Sequence, residues 1–322
     1  MFLGRVRRLS RVHLLTSLRY PAFRWLWFSN LSGSAGRWAL VLILGAQLFQ
    51  LTHSSFWVGA GLFFTQGPVI LLAPLSGMLA DRFDRRTLNV GSAVLGALTT
   101  GVFALLSWTG LLSLPMTLAL CVVFGVSFAL QITLRSTLVP SLVPAENLLN
   151  AVSLSQVALQ GAQFIGPALA TPLLVLGGPP LAWTFCSLLY LVSALLCLPI
   201  GAVVPTVSST TQHYGIAGSF RYLSARPLAL AAICAVAIHC SLTMAYQGML
   251  PMFVSLDLAA PSSIYGALLA SIGLGAVLGS LALARFDGER YRPTLFVVSL
   301  IGSGASLTVM AATQSSLVAV IS

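Results

Sequence analysis

The sequence predicts an all-α membrane protein, and three observations carry that expectation. Hydrophobic residues make up 57% of the 322 positions and charged residues only 7%, giving a mean hydropathy of +0.96. A water-soluble domain carries about 25% charged residues, and a surface built from so few would present large apolar patches to water. The apolar residues fall into uncharged runs of the roughly 20 residues that a helix needs to cross a bilayer. The arginines, in turn, concentrate in alternate connections between those runs, as they do in multi-pass proteins.

Nine runs have the required length: Trp25–Phe49, Trp57–Ala80, Leu88–Gly110, Pro115–Leu134, Ala151–Leu176, Leu181–Val204, Leu228–Val254, Ile264–Ala284 and Pro293–Ala312. A tenth begins near Ser316, with the sequence ending at Ser322. Residues 1–24 therefore read as a basic N-terminal segment and 25–204 as a six-helix bundle. Residues 205–227, rich in Ser, Thr and Gly, read as a linker, and 228–322 as a partial second bundle of three spans and the start of a fourth. The first run is too long for the apolar region of a cleaved signal peptide, so the N-terminus is expected to stay attached.

All sixteen basic residues are arginine. With simple alternation, Arg5, Arg7, Arg8, Arg11, Arg19 and Arg24 share one side with Arg82, Arg85, Arg86, Arg135, Arg221, Arg226, Arg285, Arg290 and Arg292. The opposite connections, near Thr52–Phe56, Thr109–Leu114, Gly177–Pro180 and Ser255–Ser263, contain none. Cytoplasmic loops hold the arginine excess, so the N-terminus is expected inside, in a plasma (cytoplasmic) membrane. The net charge of +10 is then topological, and nucleic acid is not an expected partner.

One connection stands out. Ser76–Arg86, SGMLADRFDRR, packs five charged residues into six positions between two apolar runs. Asp81 falls where the second run ends, near the positive N-terminal end of the next helix, which favours a carboxylate. Arg82, Arg85 and Arg86 offer donors to carboxylates and lipid phosphates. The motif has an echo in LARFDGER, Leu283–Arg290, after the second run of the later half. Equivalent loops at equivalent places describe a duplicated six-span unit, so twelve spans are expected of the whole, more than this chain carries.

These residues resemble the major facilitator superfamily, and more closely its drug and siderophore exporter branch. Gly77, Leu79, Ala80, Asp81, Arg82, Arg85 and Arg86 match the superfamily's loop signature between helices two and three. QLTHSSFWVGAGLFF, Gln50–Phe64, is similar to the branch's pattern opening helix two, and STLVPSLVPAENLLNAVSL, Ser136–Leu154, to its loop between helices four and five. Gly166-Pro167 resembles the exporter motif of helix five, although the residues after it lack the usual glycine pair. The resemblance implies two six-helix halves, the second incomplete here, and export of amphipathic small molecules by alternating access. It also implies proton coupling, and a switch in which Asp81 pairs with Arg135 at the cytoplasmic end of the fourth span. Lysophospholipid flipping, known from a related branch, and a non-transporting remnant are the alternatives.

Polar residues inside the runs mark the expected cavity. Arg37 lies about 18 Å into the first run at helical rise, near the bilayer midplane, where a charge faces a water-filled cavity or a partner. No Asp or Glu occupies the middle of any run, so the partner would be a carbonyl, a polar side chain, an anionic substrate or a residue of further helices. Gln156, Gln160 and Gln163 share one helix face, and with Gln247 they would line the cavity or join helices. His239 would accept a proton or bond a carbonyl. Gly273, Gly275 and Gly279 would permit close packing. The five cysteines lie inside apolar runs without metal-ligand spacing and read as buried free thiols. With no Ser/His/Asp arrangement, paired intramembrane carboxylates or phosphate-binding glycine loop, neither an enzyme nor a cofactor is expected. A monomer is expected, with a small-molecule substrate, lipid and protons as its partners.

Overall fold

The computed structural model describes residues 16–203, 227–244, 246–283 and 292–321. The basic residues Arg5 to Arg11, the linker arginines Arg221 and Arg226, and the repeat motif after Leu283 lie outside them. Among the described residues there are helices and turns and no strand. The helices are α1 (Pro21–Thr52), α2 (Ser55–Arg82), α3 (Arg85–Trp108), α4 (Leu114–Leu142), α5 (Leu148–Cys197), α6 (Pro227–Met244), α7 (Tyr246–Met252), α8 (Ser262–Leu283), α9 (Arg292–Ala312) and α10 (Ser316–Ile321). Six helical stretches among these residues, α1 to α5 and α8, are long and apolar enough to cross a membrane. The chain is therefore an all-α membrane protein, as its composition requires.

The helices depart from the expected runs at two places. Helix α5 carries two spans in its 50 residues, divided only at Gly178, whose φ of 68° and ψ of −171° belong to a region open to glycine. Pro179 and Pro180 follow, and proline suits the first turn of a new helix because no N–H is needed there. The run expected as Leu228–Val254 does not end as an α-helix: beyond Met252 it passes into a π-helical turn, Phe253–Asp257.

Apolar burial does little to join helices within lipid, so close backbone approach and interhelical hydrogen bonds carry association. Helix α1, buried along most of its length from Gly33 to Leu48, shows both. Ser29 Oγ donates to the Ser193 carbonyl at 2.7 Å, Ser193 Oγ returns a bond to the Ser29 carbonyl at 2.9 Å, and Ser32 Oγ donates to the Leu189 carbonyl at 2.7 Å. Gly166 of α5 lies so near α1 that a Cβ there would strike the Ala35 carbonyl oxygen. On the other side of α5, a Cβ on Gly273 of α8 would strike the Phe164 amide nitrogen. Helix α5 is thus wedged between α1 and α8.

Of the three glycines expected to pack closely, only Gly273 does so, because a Cβ on Gly275 or Gly279 meets nothing within 4 Å. Between α2 and α4, Pro68 cannot bond the Phe64 carbonyl one turn before it, and Gly125 fills the space beside it, 2.9 Å from that oxygen measured from an added Cβ. Cys121, Cys186 and Cys197 are free and buried, but Cys234 is exposed. It lies on α6 among the exposed Ile233, Val236 and Ile238.

Candidate functional site

A cavity of about 860 Å³ lies between α1, α2, α4 and α5 on one side and α7 and α8 on the other. Helix α1 contributes Asn30, Ser34, Arg37 and Trp38, and α4 contributes Phe128, Ile132 and Arg135. Gln156, Gln160 and Gln163 of α5 face it together, with Gln66 and Gln247 across from them. The exposed Ser136, Pro140, Val152 and Gln156 mark its mouth, at the end of the bundle that also carries Arg82, Arg85 and Arg86. At the opposite end the two sides touch. Tyr265 donates its hydroxyl to the Val41 carbonyl at 3.3 Å, Ser55 Oγ contacts Met252 Sδ at 3.1 Å, and an added Cβ on Gly248 would lie 3.2 Å from Gly59 Cα.

Arg37, the three glutamines of α5 and Gln247 are therefore brought to one site. His239 is not among the lining residues. It is half-buried on α6, with its Nε2 3.4 Å from Ser303 Oγ of α9. Helix α4 continues to Leu142, so Arg135 lies seven residues, about 10 Å, inside its end and lines the cavity.

The two cavity arginines share an electrostatic problem. The Arg37 guanidinium lies over the Phe128 ring at 4.5 Å from the centroid, while its Nε and Nη1 are buried without a hydrogen-bond partner. Arg135 Nε is in the same state, and an added Cβ on Gly33 of α1 would lie 3.7 Å from Arg135 Nη2. Both side chains are only half-buried overall, so each presents part of itself to the cavity. Two cations that line one partly enclosed cavity repel each other more than they would in water. Among the described residues, none of the carboxylates Asp81, Asp84, Glu146 and Asp257 lines the cavity. Tyr190, absent from the sequence reading, lies within electrostatic range of both arginines. Its ring is held between Gly36 and Gly96, and its hydroxyl has no hydrogen-bond partner.

Residues 13–322 match the family described as transmembrane secretion effector. The chain belongs to that family, within the major facilitator superfamily. It is similar to the enterobactin exporter EntS of Salmonella typhi, 28% identical over 297 residues, covering 88% of this chain and 68% of the relative. The EntS of Escherichia coli O9:H4 strain HS is 26% identical over 299 residues, with the same coverage. Among solved structures, a bacterial homologue of the human lysosomal transporter Spinster, inward-facing and unoccupied, superposes with a TM-score of 0.61 at 15% identity. That likeness concerns the fold alone and covers 84% of this chain, which spans 64% of that structure. A secretion effector of this superfamily is a transporter and not an enzyme.

The signature loop of this secretion effector stitches four helix ends together. Asp84 caps α3, accepting bonds from Thr87 N at 3.1 Å, Thr87 Oγ1 at 2.6 Å and Arg86 N at 3.3 Å. It also accepts from Val203 N at 2.8 Å, just beyond α5. Arg86 donates to the carbonyls of Cys197 and Leu198 at the end of α5. Arg85 donates to the Ala80 and Thr137 carbonyls at 3.1 and 3.2 Å, tying α2 to α4. By contrast, Asp81 is 69% exposed, with Arg85 Nη2 3.8 Å away. Arg82 is exposed, and a Cβ on Gly77 meets nothing within 4 Å.

Partial burial alone would raise the Asp84 carboxyl, but the bonds from Thr87, Val203 and Arg86 outweigh it and hold the group below its usual range. A depressed carboxyl stabilises the fold above its unfolded value, near pH 3.9, and that stability is lost as pH falls through the lower folded value. Asp84→Ala is therefore expected to cost about 1 kcal/mol near neutral pH. Thermal unfolding of purified protein should show the difference from the parent shrinking below about pH 4. A difference that persists undiminished in acid would assign the loss to packing instead of charge.

Proposed function

We propose that this secretion effector exports amphipathic small molecules of drug or siderophore type across the cytoplasmic membrane by alternating access, as a monomer. The observation that carries the reading is a mid-bundle cavity, open at one end and with its two sides in contact at the other, with apolar walls and a few charged and amide groups. Transporters of alternating-access type place their substrate site at such a midplane interface. The relatives named as enterobactin exporters support the direction and substrate type. With the N-terminus cytoplasmic, the mouth opens inward. Asp81, exposed and loosely paired with Arg85, is then one half of a cytoplasmic latch that closes in the other state. Proton coupling belongs to the same reading, and its carrier lies outside the described lining, which holds no carboxylate or imidazole. Lysophospholipid flipping is a second reading, favoured by the arginines within reach of a head-group phosphate.

Energised everted vesicles containing the protein should accumulate at least one member of a panel of dyes, macrolides and catecholate siderophores. Asp81→Asn should lower that rate on the order of tenfold, since charge-assisted bonds contribute roughly 1.5–3 kcal/mol. It should also raise labelling of a cysteine at position 156 from the cytoplasmic side. Energised vesicles that accumulate no compound, while scrambling labelled lysophospholipid, would replace export with flipping.

A further inference from the structure

We infer that the cavity is an anion site, selecting amphipathic molecules that carry a compact oxyanion, carboxylate or phosphate, on an apolar body. The inference rests on the transporter reading of the cavity and names its ligand class. Arg37 and Arg135 reach the same cavity from α1 and α4, and Nε of each, with Nη1 of Arg37, is buried without a hydrogen-bond partner. No described carboxylate lines the cavity to neutralise them. A guanidinium binds carboxylate or phosphate through two parallel N–H bonds, and one oxyanion between two guanidiniums relieves their mutual repulsion as well. Phe128, under Arg37, holds that side chain's plane in place, as a cation does over an aromatic face. Ile132, Val139, Leu159 and Ile272 supply an apolar wall beside the charges, which a free inorganic anion would not use. The glutamines of α5 can donate to further oxygens but cannot neutralise a cation.

Trp38 lines the cavity and gives a binding signal that needs no transport. Purified protein in nanodiscs of neutral lipid is titrated with decyl phosphate, decanoate, decyl maltoside, decyltrimethylammonium and inorganic phosphate, following tryptophan quenching. The two amphipathic anions should bind at least tenfold more tightly than the neutral or cationic chain, and at least tenfold more tightly than inorganic phosphate. Arg37→Gln and Arg135→Gln should each remove most of that preference, while Arg37→Lys keeps part of it, having charge without the planar fork. Equal binding of the neutral and anionic chains by the parent protein overturns the inference, and this comparison requires no variant to fold. Inorganic phosphate matching decyl phosphate overturns the amphipathic requirement. Tighter binding of lysophosphatidylglycerol than of decyl phosphate assigns the oxyanion to a lipid head group, and the reverse assigns it to a soluble amphiphile. Anion preference without export by vesicles would sustain the site and sink the export reading, whereas export indifferent to both arginines would do the opposite.

Discussion

Gly166→Val is expected to destabilise the fold and lower the amount of folded protein in the membrane. At Gly166 the backbones of α5 and α1 touch: a single added Cβ would meet the Ala35 carbonyl oxygen, the Ala39 nitrogen at 3.0 Å and the Trp38 Cβ at 3.0 Å. Two of these are backbone atoms of a buried helix and cannot swing aside, so α1 and α5 must separate. Overpacking of this kind costs about 1–3 kcal/mol by itself. Separation would also stretch the Ser29–Ser193 and Ser32–Leu189 bonds that join the same two helices, each contributing about 0.6 kcal/mol in a membrane setting. Together these come to about 2–4 kcal/mol, a large fraction of the roughly 5–15 kcal/mol by which a typical protein is stable. A fluorescent fusion followed by size-exclusion chromatography should show a smaller monodisperse peak than the parent, and thermal unfolding of what is recovered should show a lowered midpoint. Gly77→Val, where the added carbon meets nothing within 4 Å, should leave the peak unchanged. Parental levels of the Gly166 variant would mean that α1 and α5 can pack in another register.

Much of this architecture was legible because lipid imposes simple rules. A span must be long and apolar, so the helices of the first bundle follow the uncharged runs, and the polar exceptions inside them, Arg37 and the glutamines at 156, 160 and 163, mark the cavity they line. The same rule does not show that Arg135 lines the cavity, because its charge ends an apolar run while α4 continues to Leu142. Phe128 and Arg135 are seven residues apart and share a helix face, which is the signal that could have found it. Asp81 and Asp84 differ only in where α3 begins. Thr87, three residues after Asp84, is the capping partner that distinguishes them. Tyr190 gave no signal, because its slot is made by Gly36 and Gly96 from two other helices and exists only once these have packed.

Gly266→Val is expected to hold the sealed end of the cavity open. An added Cβ on Gly266 of α8 would strike Thr171 Oγ1 of α5 and approach its Cβ at 2.7 Å. The threonine cannot turn away without loss, since Oγ1 donates to the Pro167 carbonyl at 2.7 Å. Tyr265, the neighbour of Gly266, makes the hydroxyl bond to Val41 that helps seal this end. The clash exists only while α8 and α5 are pressed together at the seal, so its cost of about 1–3 kcal/mol falls on the closed state and not on the open one. A difference of that size shifts a conformational equilibrium by roughly 5- to 150-fold. A cysteine at position 163, in the cavity wall, should therefore react faster with an impermeant maleimide applied from the side of the seal, and a cysteine at 156, by the mouth, more slowly from the other side. Transport should fall more than tenfold while membrane abundance stays near the parental level. Thr171→Gly in the same chain removes the colliding atoms and should restore both labelling patterns, the coupling expected of residues in contact. Gly275→Val, with no neighbour within 4 Å of the added carbon, should change neither. Unchanged labelling of the cysteine at 163, or a double variant no better than Gly266→Val alone, would show that the α5–α8 contact is not the seal.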